Sequence, residues 1–331
     1  MTFTQRLMTS AAHLGRQTMK LALGVTLGAG LALALAGVPG QARAQAQAVE
    51  AAPAALRAVP PAEGQGPALW VVSDADSTLY LFGTVHVLRP TTAWGSARVD
   101  AAFDSASDIW LEISNPDDVA AVMPLIQQHG ISPDRPLSSL LTAEQFADLD
   151  AAAQSIGLSG AQMEPMRPWL AALQLSMAPL VKAGYDPQSG VELILKARAE
   201  AAGKPLHGFE TIDKQVRILA GLDEADQLAF LTETLGMFDN AATELDQLVN
   251  AWATGDVDSI NRLGVEEMKA VSPAVYEALL VRRNTDWADQ IQTLLEGSGT
   301  TFIAVGAAHL AGDDSVQAIL TRRGVAVNTA P

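Results

Sequence analysis

Thr300-Thr301-Phe302-Ile303-Ala304-Val305 is a short apolar run, β-branched at its ends, and Gly306-Ala307-Ala308-His309 follows it directly. Such a run predicts a buried strand. Asp313 or Asp314 is placed to cap a helix running to Arg322, and Val325-Ala326-Val327 reads as a final strand. A β-α-β unit at this end needs a sheet to join. The other end of the chain offers one. Leu69-Trp70-Val71-Val72 and Thr78-Leu79-Tyr80-Leu81-Phe82 flank the turn-forming Ser73-Asp74-Ala75-Asp76-Ser77, which predicts a hairpin. Residues 108–113 read as a third strand and residues 205–210 as a short one. Between the strands the pattern is helical. Residues 98–106 form one helix. A block reaches about Gly203, with amphipathic pieces at 142–156 and 191–202. Ser138, Ser139 and Thr142 are candidate N-caps there, with Glu144 close by. A further helical block spans residues 211–295. The expected fold is therefore α/β (α+β). One domain, residues 68–331, has a central mixed sheet built from N- and C-terminal strands and carries a large helical insertion.

Composition bounds the function. The chain has 331 residues, is 49% hydrophobic and carries a formal net charge of −16. An acidic chain of this kind argues against nucleic acid and anionic membrane surfaces as partners. It contains no cysteine. Disulfides, thiolate metal sites, a cysteine nucleophile and a lipid-anchored cysteine are all excluded.

The first residues read as an export signal. Arg6, Arg16 and Lys20 precede a largely apolar run from Leu21 to Val38, and Ala42-Arg43-Ala44 supplies small residues for cleavage. Residues 1–44 are the expected signal peptide. The alternative is a retained anchor, since a run of about 18 residues just spans a bilayer. Residues 45–67, rich in Ala, Gln, Pro and Gly, read as a flexible linker. Removing Arg6, Arg16, Lys20 and Arg43, with no acidic residue among residues 1–44, takes the charge from −16 to −20. The mature protein is expected in the periplasm or outside the cell, with no stable membrane insertion.

Of five histidines, His13 falls in the signal region, leaving His86, His129, His207 and His309. Two share a context: Leu81-Phe82-Gly83-Thr84-Val85-His86 and Ala304-Val305-Gly306-Ala307-Ala308-His309. In each, an apolar strand runs into glycine, two smallish residues follow, and then histidine. A strand end followed by glycine is where backbone turns and presents a side chain above a sheet. Glu112 ends an apolar strand, where a carboxylate is costly unless paired or bound to a cation. Two imidazoles and a carboxylate are a usable ligand set for a divalent metal such as Mn, Co or Zn. The metal would polarise a carbonyl and acidify bound water. Without a metal, the trio serves as general acid and base.

These segments, with Trp110-Leu111-Glu112 and the continuation Leu310-Ala311-Gly312, resemble the marks of the TraB/GumN/TIKI family. Further pieces resemble its GumN-type bacterial branch. They are Gly190-Val191-Glu192, Gly203-Lys204-Pro205, Phe209-Glu210-Thr211, Gln215, and Arg283-Asn284-Thr285-Asp286-Trp287. The resemblance implies a fold similar to erythromycin esterases and the ChaN haem-binding proteins, and metal-dependent proteolysis outside the cell in animal members. Carried over by position, it implies a site at His86, Glu112 and His309, these three as metal ligands, with Arg283 steadying an oxyanion. Glu210 either orients that site or serves as a carboxylate at a helix N-terminus. Arg167-Pro168-Trp169 also resembles a family feature and reads mainly as packing between helices, with substrate contact as the alternative; His207 reads as structural, His129 as a cation suited to a helix C-terminus, and Glu266-Glu267 as a solvated face.

The expected function is an exported metal-dependent hydrolase, in the manner of a peptidase, acting on a peptide or small-molecule substrate. The alternatives are a non-catalytic metal- or haem-binding protein and an inactive scaffold. No Gly-x-Ser-x-Gly elbow, His-Glu-x-x-His motif or P-loop is present.

Overall fold

Asp74 closes the first turn as an aspartate at that position should. Its Oδ1 accepts hydrogen bonds from the backbone of Asp76 (3.1 Å) and Ser77 (2.8 Å). The flanking runs become strands β1 (Leu69–Ser73) and β2 (Ser77–Thr84), paired antiparallel. This is a computed structural model, and it describes residues 58–330. The expected signal peptide and the linker as far as residue 57 lie outside the described residues. Residues 58–67 run beside Trp94–Ser96, where the backbone of Ala62 donates to Gly95 (2.8 Å).

Four further strands complete one sheet: β3 (Asp108–Leu111), β4 (Leu206–Gly208), β5 (Gly299–Gly306) and β6 (Val327–Thr329). Their order is β4-β3-β5-β2-β1-β6. The sheet is mixed. β4, β3, β5 and β2 run parallel, and β1 pairs antiparallel with both β2 and β6. The two ends of the chain thus share one sheet, as their sequences require. β5 is apolar from Phe302 to Val305 because it is covered there on both faces. Phe302 and Ala304 face a large core, while Ile303 and Val305 face a smaller one with Trp287 and Leu320.

The helices are α1 (Ala97–Ser105), α2 (Val119–Gly130), α3 (Ala143–Gln154), α4 (Pro168–Lys182), α5 (Val191–Ala202), α6 (Ile212–Ala220), α7 (Glu224–Met237), α8 (Ala241–Ala253), α9 (Arg282–Leu295) and α10 (Val316–Arg322). Short helical turns separate several of them. Thr142 caps α3 with a capping box, although its partner is Gln145 and not Glu144. α5 matches its expected bounds and ends at Gly203 in the left-handed conformation. α10 is capped by Ser315, not by Asp313 or Asp314, because Ser315 stands immediately before the first turn; Asp314 instead accepts from the Tyr276 hydroxyl (2.6 Å). Two π-helical segments, Asn261–Val265 and Glu277–Val281, interrupt the last helical block, and the second runs straight into α9. Such widened turns re-aim the side chains that follow them. Among the described residues, no helix is long and apolar enough to cross a membrane.

Candidate functional site

Parallel strands point their carboxyl ends to one edge, which is where α/β sheets carry their sites. Thr84 at the end of β2 pairs with Gly306 at the end of β5, and Leu111 at the end of β3 lies opposite Ala304. The segments leaving these strands therefore emerge side by side. They bring His86, Glu112 and His309 together, and β4 delivers Glu210 beside them. All four side chains are buried.

The two Gly-x-x-His segments touch each other. A Cβ on Gly83 would lie 3.1 Å from the Cα of Ala307, so glycine is what lets the second segment approach. Trp252 of α8 donates from Nε1 to the Gly83 carbonyl (2.7 Å), fixing the first segment from the insertion side. After Gly306 the chain winds into a 3-10 turn, Ala307–Leu310, which turns His309 inward.

Alternation along β3 places Trp110 on the smaller core and, one step past the strand, Glu112 on the same side. α9 covers that side. Arg283 and Trp287 stand one helical turn apart on it, and the guanidinium lies over the indole ring at 4.6 Å. Arg283 is the hub of the cluster. Its Nη2 donates to Glu112 Oε2 (2.6 Å) and its Nε to Glu210 Oε2 (3.0 Å). Its Nη1 reaches the Leu279 carbonyl (3.1 Å) and His309 Nε2 (3.0 Å).

These contacts determine the His309 tautomer. Arginine only donates, so His309 Nε2 must accept. The proton then sits on Nδ1 and is donated to Asn284 Oδ1 (2.5 Å). Asn284 is oriented in turn by its Nδ2 donating to the Asp314 carbonyl (2.8 Å). His309 is neutral. Burial, then the Arg283 charge and then His86 hold its pKa well below the ordinary 6.5.

His86 is poised the other way. Its Nδ1 lies 2.6 Å from Glu192 Oε1, an ion-pair contact directed off the ring N–H axis. Burial pulls its pKa down, but Glu192, followed by Glu112, outweighs that and leaves it raised above 6.5. Burial alone would raise Glu192; His86 and the Thr84 hydroxyl, which donates to Oε1, lower it on balance. His86 Nε2 has no hydrogen-bond partner among the described residues, and Glu112 Oε1 stands 3.9 Å from it.

Glu192 was not picked out as a site residue from sequence, nor were Thr84, Gln215 and Asn284. Glu192 carried a usable signal. It shares the buried stripe of α5 with Leu195 and Ala199, where an unpaired carboxylate is costly. Glu210 serves the site by binding Arg283, so the orienting role is the one the geometry supports. His207 stacks on Trp110 (5.0 Å between rings) away from the cluster. His129 sits in the last turn of α2. Trp169 packs as expected, with its Nε1 donating to the His129 carbonyl (3.1 Å), but Arg167 does not pack: its side chain is exposed.

The fit of a divalent metal can be judged from lone pairs. Arg283 takes that of His309 Nε2. Glu112 Oε2 accepts from Arg283 and from Gln215 Nε2 (3.0 Å), and Oε1 accepts from the Gly306 backbone (2.8 Å). Among the described residues, no group of three or more His, Asp or Glu side chains is arranged to hold a metal ion. The expected trio converges, yet as arranged it encloses a guanidinium and does not fit a metal. Arg283 lines a cavity of about 320 Å³ with Lys214, Arg217 and Arg282.

The sequence model of the TraB/PrgY/gumN family matches residues 68–329. An uncharacterised protein of Treponema pallidum is 22% identical over 267 residues, covering 77% of this chain and 80% of its own. The uncharacterised protein YbaP of Escherichia coli is 23% identical over 256 residues, covering 77% of this chain and 92% of its own. YbaP of Shigella flexneri gives the same identity and coverage. No solved structure matches the chain, and the likeness to erythromycin esterases and ChaN stays an expectation.

Proposed function

The chain belongs to the TraB/PrgY/gumN family, and on that premise we propose that its buried cluster is the centre of an exported hydrolase. The observation that carries the reading is Arg283: a guanidinium held by two buried carboxylates and a neutral histidine, at the carboxyl ends of parallel strands, and lining a cavity. A substrate carbonyl meeting Arg283 must take over an N–H now given to a protein acceptor, and the guanidinium then stabilises its developing oxyanion. His86 is the candidate base. With the proton kept on Nδ1 by the adjacent Glu192 carboxylate, the lone pair on Nε2 takes a proton from water as the water attacks the carbonyl. The same proton then passes to the leaving amine or alcohol. Glu112, Glu210 and His309 position Arg283, and Glu192 positions His86. The substrate is a peptide or a small molecule with an amide or ester bond, and the protein works in the periplasm or outside the cell.

Metal dependence is the second reading, and the unpartnered His86 Nε2 is what favours it. It requires Arg283 to leave His309 Nε2, so that His86, Glu112 and His309 present their lone pairs together.

One experiment separates the two. Mature wild-type, His86→Ala and His309→Ala proteins are loaded with Mn, Co or Zn, dialysed and analysed for bound metal, and then screened against peptide and ester libraries with and without metal. Turnover without metal, lost in His86→Ala, supports the acid–base centre. About one equivalent of metal, lost in each folded variant, supports the metal reading. No turnover under any loading removes the hydrolase.

A further inference from the structure

The cavity that Arg283 lines is basic, in an acidic chain. The chain has 37 acidic and 21 basic residues. Yet the cavity beside Arg283 has Lys214, Arg217 and Arg282 among its lining residues and no acidic one. A second cavity of about 220 Å³ adjoins it, and Leu222 lines both. This one carries Arg135, Arg167 and a single carboxylate, Glu224, which is paired with Arg135 (2.7 Å). The carboxylates that pair with Lys214 are Asp286 and Glu210, and those that pair with Arg217 and Arg282 are Asp213 and Glu277; none of them lines either cavity. The basic residues line the cavities and their carboxylate partners do not.

Arg167 is the telling member. Its side chain makes no ion pair or hydrogen bond among the described residues. Its backbone is nonetheless pinned. The amide donates to the Gly130 carbonyl (2.7 Å), and Pro168 follows as the first residue of α4. A fixed backbone presenting an unpaired guanidinium at a cavity is suited to a carboxylate from outside.

We propose that the paired cavities bind a peptide carrying a carboxylate. Arg167 and the Lys214–Arg217–Arg282 rim take the negative charge, and a neighbouring carbonyl is set against Arg283. Only the last element rests on the hydrolytic reading; the anion preference stands apart from it.

The test is equilibrium binding to the mature wild-type protein at low ionic strength. The probes are two cleavage-resistant peptides, succinyl- and acetyl-capped tri-aminoisobutyrate amides, which differ in one carboxylate, with free succinate as a third ligand. The succinyl peptide is expected to bind about tenfold tighter than the acetyl one, a preference that weakens with salt. Arg167→Glu, an exposed change, should abolish the preference, while Arg167→Lys should keep part of it. Equal affinity for the two peptides, or a preference untouched by Arg167→Glu, overturns the proposal. Succinate binding as tightly as the succinyl peptide overturns the peptide half. Charge preference without turnover of any substrate retains the anion site and removes the hydrolase. Turnover without charge preference does the reverse.

Discussion

Replacing Arg283 by Met tests whether one guanidinium neutralises the centre. Met keeps much of the length and removes the charge. Glu112 then remains buried without its cation, Glu210 keeps only Lys214 Nζ at 3.6 Å, and His309 Nε2 loses its donor. Removing one partner of a buried pair costs about 3–5 kcal/mol. The upper range has a natural limit, since a stranded carboxylate can take up a proton. Protonating a carboxylate with an unfolded pKa of about 4.3 at pH 7 costs roughly 2.7 × 1.36, or about 3.7 kcal/mol. The pH dependence carries the same signature. The folded variant binds a proton that the unfolded chain releases, so its stability falls as pH rises. Lowering the pH from 7 to 5 should therefore recover roughly 1.4 kcal/mol per pH unit relative to wild type. Urea unfolding of both proteins at four pH values measures this. A loss below about 1 kcal/mol at pH 7, with the wild-type pH slope, would show that Arg283 is not the counter-charge.

Other perturbations reach the cluster from different sides. The raised His86 contributes stability that is full below its unfolded pKa of about 6.5 and disappears as pH climbs through its folded value. The lowered Glu192 contributes above about 4.3 and loses its share as pH falls through its folded value. Glu192→Gln should therefore destabilise the protein more at pH 6 than at pH 9 in urea melts, and an equal loss at both would break the linkage. In any hydrolysis found, kcat/KM should rise with pH through a value above 6.5, and Glu192→Gln should move that midpoint down. Gly190→Ala should cost at least about 1–3 kcal/mol by thermal unfolding, because the added Cβ would meet the His86 carbonyl oxygen at 2.4 Å. Asn284→Ala should cost about 1–3 kcal/mol yet leave the proton on His309 Nδ1, because Arg283 still donates to Nε2; nitrogen-15 NMR reads the tautomer directly, and a proton found on Nε2 would refute the assignment.

The fold was legible where burial dictates composition. β5 needed apolar residues on both faces and had them, so its run was unmistakable. The hairpin was legible because Asp74 and its neighbours can only turn. Element ends were less so. Val325 and Ala326 look like strand residues, yet pairing starts at Val327, where β1 offers a partner. The same holds for Asp313 and Asp314, which are good capping residues placed too early for α10. In the site, repetition revealed His86 and His309, and an isolated carboxylate revealed Glu112. Arg283, Glu210, Glu192, Gln215 and Asn284 stood out only in segments that resemble the family, and no local pattern placed them around these three. Glu192 and Gln215 come from two different helices, and single-strand periodicity says nothing of which helix covers which strand end. The central place of Arg283 depends on strand order, which no local pattern encodes.

That strand order has a consequence in time. β5 is among the last strands synthesised, yet it lies in the middle, between β3 and β2. Until it arrives, β2 and β3 have no reason to stand at the right separation, and their facing edges stay unpaired. The helical insertion emerges before the slot it must cover is filled. Folding of the sheet is thus postponed to the end of synthesis, and a chain halted before residue 299 leaves β2, β3 and β1 each without one of its neighbours. Such a polypeptide passes through its vulnerable stage as a whole and not piece by piece, which makes it dependent on whatever holds long nascent chains apart.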